Sequence, residues 1–175
     1  MAAALQAWEL VRDIADFPSP GVVFKDITPL LADADAFSAT VEALACRFAD
    51  RQVDYVLGIE ARGFIVAAPV ALSLRAGFVP ARKSGKLPWH VVSEPYTLEY
   101  GDSSLEVHAD AMAPGTSVVI VDDVLATGGT ACAAIKLVER LGARVAGLGF
   151  VLELGFLDGR ARLSGHEVFA LHGYR

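Results

Sequence analysis

Residues 118–121 read Val-Val-Ile-Val, four β-branched residues in succession, with Asp122 and Asp123 directly after them. A strand that is apolar on both faces must be covered on both, which places it inside a mainly parallel sheet flanked by helices. The rest of the chain fits that setting. Apolar residues at helical spacing predict helices over 5–14, 36–49, 63–74 and 130–141, the last stopped by Gly142. Short apolar runs predict strands over 53–59, 77–80, 117–121 and 144–152. Strands alternating with helices give an α/β domain, whose ligands bind beyond the carboxyl ends of the strands. In 17–24 the prolines remove donors and restrict their predecessors, so an extended, turn-rich segment is expected there. Residues 83–107 break the alternation, hold Pro88 and Pro95 and mix aromatics with charges, so a mobile flap is expected over about 84–106.

With 175 residues, 54% hydrophobic and 21% charged, the chain has the composition of a packed domain and excludes disorder as its main state. Neither repeats nor linkers interrupt it, so 1–175 is expected to form one domain. A net charge of -6 excludes a sequence-blind nucleic-acid binder, which needs surplus Lys and Arg. Any bound anion must then be held by local groups. Cys46 and Cys132 are far apart in apolar stretches and are expected to be reduced core thiols. The longest uncharged run, 63–74, has 12 residues, short of the ~20 a membrane-spanning helix needs. Residues 1–10 lack a basic leader, so no signal peptide and a cytoplasmic location are expected.

The segment with the most chemical content is Val-Val-Ile-Val-Asp-Asp-Val-Leu-Ala-Thr-Gly-Gly-Thr, 118–130. A buried strand delivers two carboxylates, and a loop of small residues then opens a helix. Backbone N–H groups of Ala126, Thr127, Gly128, Gly129 and Thr130 can converge on a phosphate at the positive end of that helix, with the Thr127 and Thr130 hydroxyls as further donors. Asp122 and Asp123 cannot face that phosphate without repulsion, but they suit sugar hydroxyls, which need acceptors. In isolation the segment also fits a solvated strand end with Thr130 as an ordinary N-cap. Rival phosphate loops fail. Pro80 stands where the P-loop needs its first Gly, Leu87 where it needs Ser or Thr, and no G-x-G-x-x-G follows a strand.

The Asp-Asp-x-x-Ala-Thr-Gly-Gly-Thr segment resembles the signature with which type I phosphoribosyltransferases bind 5-phosphoribosyl-1-pyrophosphate. Further segments are similar to those of the adenine-using members of that family: Phe-Pro-x-Pro-Gly-Val-Val-Phe-Lys-Asp-Ile-Thr-Pro at 17–29, Glu-Ala-Arg-Gly-Phe at 60–64, Arg-Lys-Ser-Gly-Lys-Leu-Pro at 82–88, Tyr-Thr-Leu-Glu-Tyr-Gly at 96–101 and Leu-Glu-Leu-x-x-Leu-x-Gly-Arg at 152–160. The agreement runs in order over nearly the whole chain. It implies the type I phosphoribosyltransferase fold, a five-stranded parallel sheet flanked by helices, with a small N-terminal hood over about 1–30 and a flap.

The resemblance also implies roles. Val23 C=O and Lys25 N–H would read the amino donor and ring-nitrogen acceptor of adenine, with Phe24 and Leu154 sandwiching the ring. A 6-oxopurine reverses that donor and acceptor order, and each unpaired buried group costs ~1–3 kcal/mol. Arg62, Arg82, Lys83 and Lys86 would meet pyrophosphate. Mg²⁺ is expected as a bridge between pyrophosphate and ribose hydroxyls, held mainly by substrate and water with no all-protein metal site. Glu99 would handle the acceptor's proton or stabilise the transition state, with Tyr100 beside it. His90 and His108 have no partner at triad-like spacing and are expected at the surface or behind the site.

Two departures stand out. Residues 89–92 read Trp-His-Val-Val where the family's flap usually carries a Thr, and Lys25 replaces the Arg of some relatives, keeping the charge and losing the fork. The implied reaction converts adenine and 5-phosphoribosyl-1-pyrophosphate to AMP and pyrophosphate, in a homodimer without nucleic-acid or membrane partners. The alternatives are a 6-oxopurine enzyme of the same fold, which would place a Lys in 151–155 where this chain has none, and a non-catalytic regulator sensing the same ligand.

Overall fold

The structure, a computed structural model, describes residues 7–98 and 101–175 and divides into two compact units, Met1–Ala43 and Leu44–Arg175. Glu99 and Tyr100 lie outside the described residues.

In the first unit a 3₁₀ turn, Ala7–Leu10, leads into strand β1 (Arg12–Ala15), which pairs antiparallel with β2 (Val23–Asp26). The short helix α1 (Thr28–Ala32) follows, and then α2 (Ala34–Phe48), within which the division falls. Among the described residues, 7–14, the helix expected over 5–14 is not formed. An isolated helix of that length is marginal, and pairing Arg12–Ala15 with β2 satisfies the same backbone groups in an extended form. Opposite charges stand directly across the ladder. Arg12 Nη2 lies 2.7 Å from Asp26 and Lys25 Nζ 2.7 Å from Asp13, matching the register Arg12↔Asp26 and Asp13↔Lys25.

The second unit is built on a seven-stranded sheet. Its strands are β3 (Tyr55–Ile59), β4 (Gly77–Lys83), β5 (Val91–Leu98), β6 (Gly101–His108), β7 (Ser117–Leu125), β8 (Arg144–Leu154) and β9 (Val168–Tyr174). Across the sheet they run β5-β6-β4-β3-β7-β8-β9. In that order the five from β4 to β9 are mutually parallel, as expected, and the segment expected as a flap adds a β5–β6 hairpin at one edge, in which β6 runs antiparallel to β4 and to β5. Two helices serve as crossovers, α3 (Arg62–Leu74) between β3 and β4 and α4 (Gly129–Arg140) between β7 and β8. The β-branched run on β7 is buried throughout, Val118 to Val121 each at 0% exposure, between helices on a covered sheet. Leu57, Ile120, Leu137, Leu148 and Phe150 close the core around it.

Several strands run further than their apolar runs. β7 continues through Asp122 and Asp123 to Leu125, β4 reaches Lys83, and β8 ends at Leu154. Both thiols are free, but Cys46 is exposed on α2 and Cys132 only partly buried, which corrects the expectation of core positions. Helical periodicity placed Cys46 among apolar neighbours in sequence while the 100° step turns it outward. Among the described residues no helix is long and apolar enough to cross a membrane.

Candidate active site

The carboxyl ends of β4, β3 and β7 bring the charged residues together. Gly58 pairs with Pro80 on one side and Val121 on the other, so continuing the register by two residues sets Glu60 level with Arg82 and with Asp123. Glu60, one residue past β3, keeps that alignment by donating its N–H to Ala81 O at 3.0 Å. Neighbouring strands lie ~4.8 Å apart, so the three side chains stand side by side.

On the β4 side the expected anion-binding cations gather on one carboxylate. Arg82 Nε reaches Glu60 Oε2 at 3.2 Å, Lys86 Nζ is bonded to Glu60 Oε1, and the Lys83 N–H donates to Oε2 at 3.0 Å. Arg82 Nη1 also donates to Lys86 O at 2.9 Å. Burial works to raise the Glu60 carboxyl, but the bonds from Lys86, the Lys83 N–H and Arg82 outweigh it and hold it below its ordinary value. The turn itself is tied to β6: buried Glu106 accepts Ser84 Oγ at 2.6 Å and the Gly85 N–H at 3.0 Å. Neither Glu60 nor Glu106 was singled out as a site residue from sequence. The signal available was Glu60 beginning the 60–64 motif, two residues before a cation.

On the β7 side Arg62, the first residue of α3, lies 2.6 Å from Asp123 Oδ2 through Nε. Arg62 is thus drawn to the acidic pair, while the Arg82 and Lys86 cations share Glu60 and Lys83 reaches it through its backbone N–H alone. Asp122 is partly exposed and Asp123 buried, and Asp122 Oδ1 accepts the Asp123 N–H at 2.9 Å. Burial, and then the Asp123 charge beside it, pushes the Asp122 carboxyl well above the usual range. The Asp122 carboxylate is therefore held at a cost that hydroxyl donors from a ligand would relieve.

After Leu125 the chain turns through Ala126, Thr127 and Gly128 into α4. Gly128 is the N-cap, with φ +79°, and no side chain caps the helix, so its first N–H groups are not blocked from within. Thr130 lies inside the first turn and is not the cap. Gly128 also presses on Gly159: a Cβ at Gly128 would meet Gly159 O at 2.6 Å, and one at Gly159 would collide with Ala126 O. Gly159 follows β8 in a 3₁₀ turn, Gly159–Leu163, that Arg160 fastens through bonds to Glu153 at 2.8 and 2.5 Å and to Val168 O at 2.8 Å. Sequence reasoning counted 152–160 as part of a motif but missed Gly159 as the backing of the loop.

The residues expected around the base fall in separate units and are described separately. Val23, Phe24 and Lys25 form β2, where the Phe24 ring meets Phe17 edge-on at 5.2 Å and Lys25 Nζ is bound to Asp13. Leu154 is the last residue of β8, paired with Tyr174 of β9. His90 is exposed, whereas His108, on β6, keeps Nε2 buried without a hydrogen bond.

The phosphoribosyl transferase domain, as a family model, matches residues 27–163. The adenine phosphoribosyltransferase of Desulfitobacterium hafniense (strain Y51) is 56% identical over 171 residues, covering 98% of this chain and 99% of that protein. Among solved structures, that of adenine phosphoribosyltransferase from Thermoanaerobacter pseudethanolicus superposes with a TM-score of 0.94 at 50% identity, covering 97% of this chain and 99% of that one. The Saccharomyces cerevisiae enzyme, complexed with an imino-altritol bisphosphate and adenine, gives 0.91 at 39% identity over 98% and 99%. With this extent of agreement on a fold that sets an acidic pair, a cation cluster and an uncapped helix side by side, the chain belongs to the phosphoribosyltransferase family, among the adenine phosphoribosyltransferases.

Proposed function

We propose that this protein transfers the 5-phosphoribosyl group of 5-phosphoribosyl-1-pyrophosphate to adenine, giving AMP and pyrophosphate in purine salvage. One observation carries the reading: the open N-terminus of α4, the Asp122–Asp123 pair on β7 and, beyond β3, the cations on β4 follow one another along one end of the sheet, the order in which phosphate, ribose hydroxyls and pyrophosphate follow one another in the donor. The N–H groups from Ala126 to Thr130 take the 5-phosphate, and Asp122 and Asp123 accept from the ribose hydroxyls. Arg62, Arg82, Lys83 and Lys86 take the pyrophosphate, whose departure leaves positive character on the sugar.

Val23 C=O and Lys25 N–H lie two residues apart on β2 and so face the same way, the spacing adenine's edge requires. On the same strand Phe24 offers a ring face for the base to stack on, and Glu99 with Tyr100 acts at the reacting centre. Among the described residues no group of three or more His, Cys, Asp or Glu could hold a metal by itself. Two carboxylates at a phosphate site suit a Mg²⁺ ion that keeps substrate oxygens and water as its main ligands and offsets the charge of the leaving group. The protein is taken to work as a cytoplasmic homodimer, a state that sedimentation at 18.5 kDa would overturn.

The test is to incubate the protein with Mg²⁺, 5-phosphoribosyl-1-pyrophosphate and, in turn, adenine, hypoxanthine, guanine, xanthine and uracil. AMP should form from adenine alone. No AMP would remove the reading, and a product from hypoxanthine or guanine instead would favour the 6-oxopurine alternative. Glu99→Gln should cut kcat far more than ligand binding.

A further inference from the structure

We infer that Glu60 is a positioning residue for the pyrophosphate end of the site, holding Arg82 and Lys86 from beneath so that both present donors outward. The inference rests on the proposed reaction and assigns a role to a carboxylate that does not itself meet the anion. Its two oxygens are divided between the cations, Oε1 to Lys86 Nζ and Oε2 to Arg82 Nε, with the Lys83 N–H sharing the second. Glu60 is fixed in turn by its N–H to Ala81 O, and the turn between the cations by Glu106. A carboxylate among cations can also act as a competitor that blocks them. Exposure decides between the two roles: the Glu60 side chain is 7% exposed, those of Arg82 and Lys86 35% and 47%. The carboxylate is covered and the cations are not, so an anion arriving from solvent meets the donors without first displacing Glu60. Two long, rotamer-rich side chains that would otherwise have to be ordered at the moment of binding are ordered beforehand.

The experiment compares wild type, Glu60→Gln and Glu60→Asp, each checked for folding by circular dichroism. Steady-state kinetics is paired with direct calorimetric titration of inorganic pyrophosphate in Mg²⁺. Glu60→Gln should raise the KM for 5-phosphoribosyl-1-pyrophosphate and the Kd for pyrophosphate about tenfold or more, with kcat changed less than about threefold and the KM for adenine less than about twofold. In a Lys86→Ala background the same substitution should have a smaller effect, because part of its route is gone. Unchanged or tightened pyrophosphate binding in Glu60→Gln overturns the inference, as does an undiminished effect in the Lys86→Ala background. If Glu60→Gln does not fold, Glu60→Asp, which keeps the charge but shortens its reach, should weaken pyrophosphate about threefold, and wild-type affinity there overturns the inference. Wild-type protein that makes no AMP removes the proposed reaction, while the pyrophosphate titration still tests Glu60.

Discussion

The first turn of α3 passes so close to β7 that a Cβ on Gly63 would stand 2.5 Å from Asp122 Oδ1 and 3.2 Å from the Asp122 Cα. The carboxylate tip can swing aside but the backbone cannot, so Gly63→Ala must separate the helix from the strand. The same shift would displace Arg62 from Asp123. The expected result is a loss of ~1–3 kcal/mol in stability together with a higher KM for 5-phosphoribosyl-1-pyrophosphate. Thermal unfolding and steady-state kinetics read the two effects, and wild-type values in both would show that the close approach is not needed.

Asp122 carries the opposite balance. Its carboxyl is raised by burial and by the charge of Asp123, so ionising it opposes folding: the stability it contributes is present below its unfolded value of 3.8 and is lost as pH rises through its higher folded value. Asp122→Asn keeps an oxygen for the Asp123 N–H and removes the repulsion. The free protein should melt about 2–4 °C higher, the equivalent of ~1 kcal/mol, near neutral pH. Activity should move the other way, with the KM for 5-phosphoribosyl-1-pyrophosphate rising by about tenfold or more as a charged acceptor is lost. A variant that is less stable as well as less active would contradict this account of the pair.

Gly159 has no polar side chain and no direct part in binding, yet it backs the phosphate loop, and a Cβ there would collide with Ala126 O. Gly159→Ala should therefore push Ala126 and Gly128 out of place and weaken binding of free inorganic phosphate or ribose 5-phosphate, measured by calorimetry, more than that of pyrophosphate. Equal losses for both anions would point to general misfolding instead.

Asp26 reports on the hairpin of the first unit. The Arg12 side chain first, then the N–H and hydroxyl of Thr28, lower its carboxyl from 3.8 to about 2. A depressed carboxylate contributes stability that is present above 3.8 and is lost as pH falls through about 2. A carbon-detected NMR titration should find the Asp26 midpoint near 2 in wild type and displaced towards 3.8 in Arg12→Ala, with the Thr28 bonds retaining part of the shift. A wild-type midpoint at 3.8 would show that the pair does not persist in solution.

How much of this was legible in the sequence differs from element to element. β7 was readable because four β-branched residues in a row have no good place except a covered sheet, and α3 and α4 because their apolar spacing is regular. β9 and the β5–β6 ladder were not, since Phe169, Ala170, His172 and Tyr174 alternate too weakly and Pro95 reads as a break, whereas it sits in an edge strand that tolerates it. Asp122, Asp123 and the loop to Thr130 stood out because a buried apolar run, two carboxylates and a turn of small residues follow one another without a break, although the segment alone also fitted a solvated strand end. Glu60, Glu106 and Gly159 were hidden because their importance lies in what they touch: a carboxylate 22 residues from Arg82, another 22 from Ser84, and a glycine whose neighbour Ala126 is distant in the chain.

The alignment of Glu60, Arg82 and Asp123 makes strand register a measuring device. The distance from the acidic pair to the cations is two sheet spacings, ~10 Å, fixed by backbone hydrogen bonds and not by any loop. Insertions in the connections leave that dimension unchanged. A single residue lost from β3, however, would move Glu60 by ~3.3 Å along the sheet and turn its side chain to the opposite face. Evolution of such a chain is therefore free to lengthen its loops and remodel its edges, while the three inner strands must keep step to within one residue.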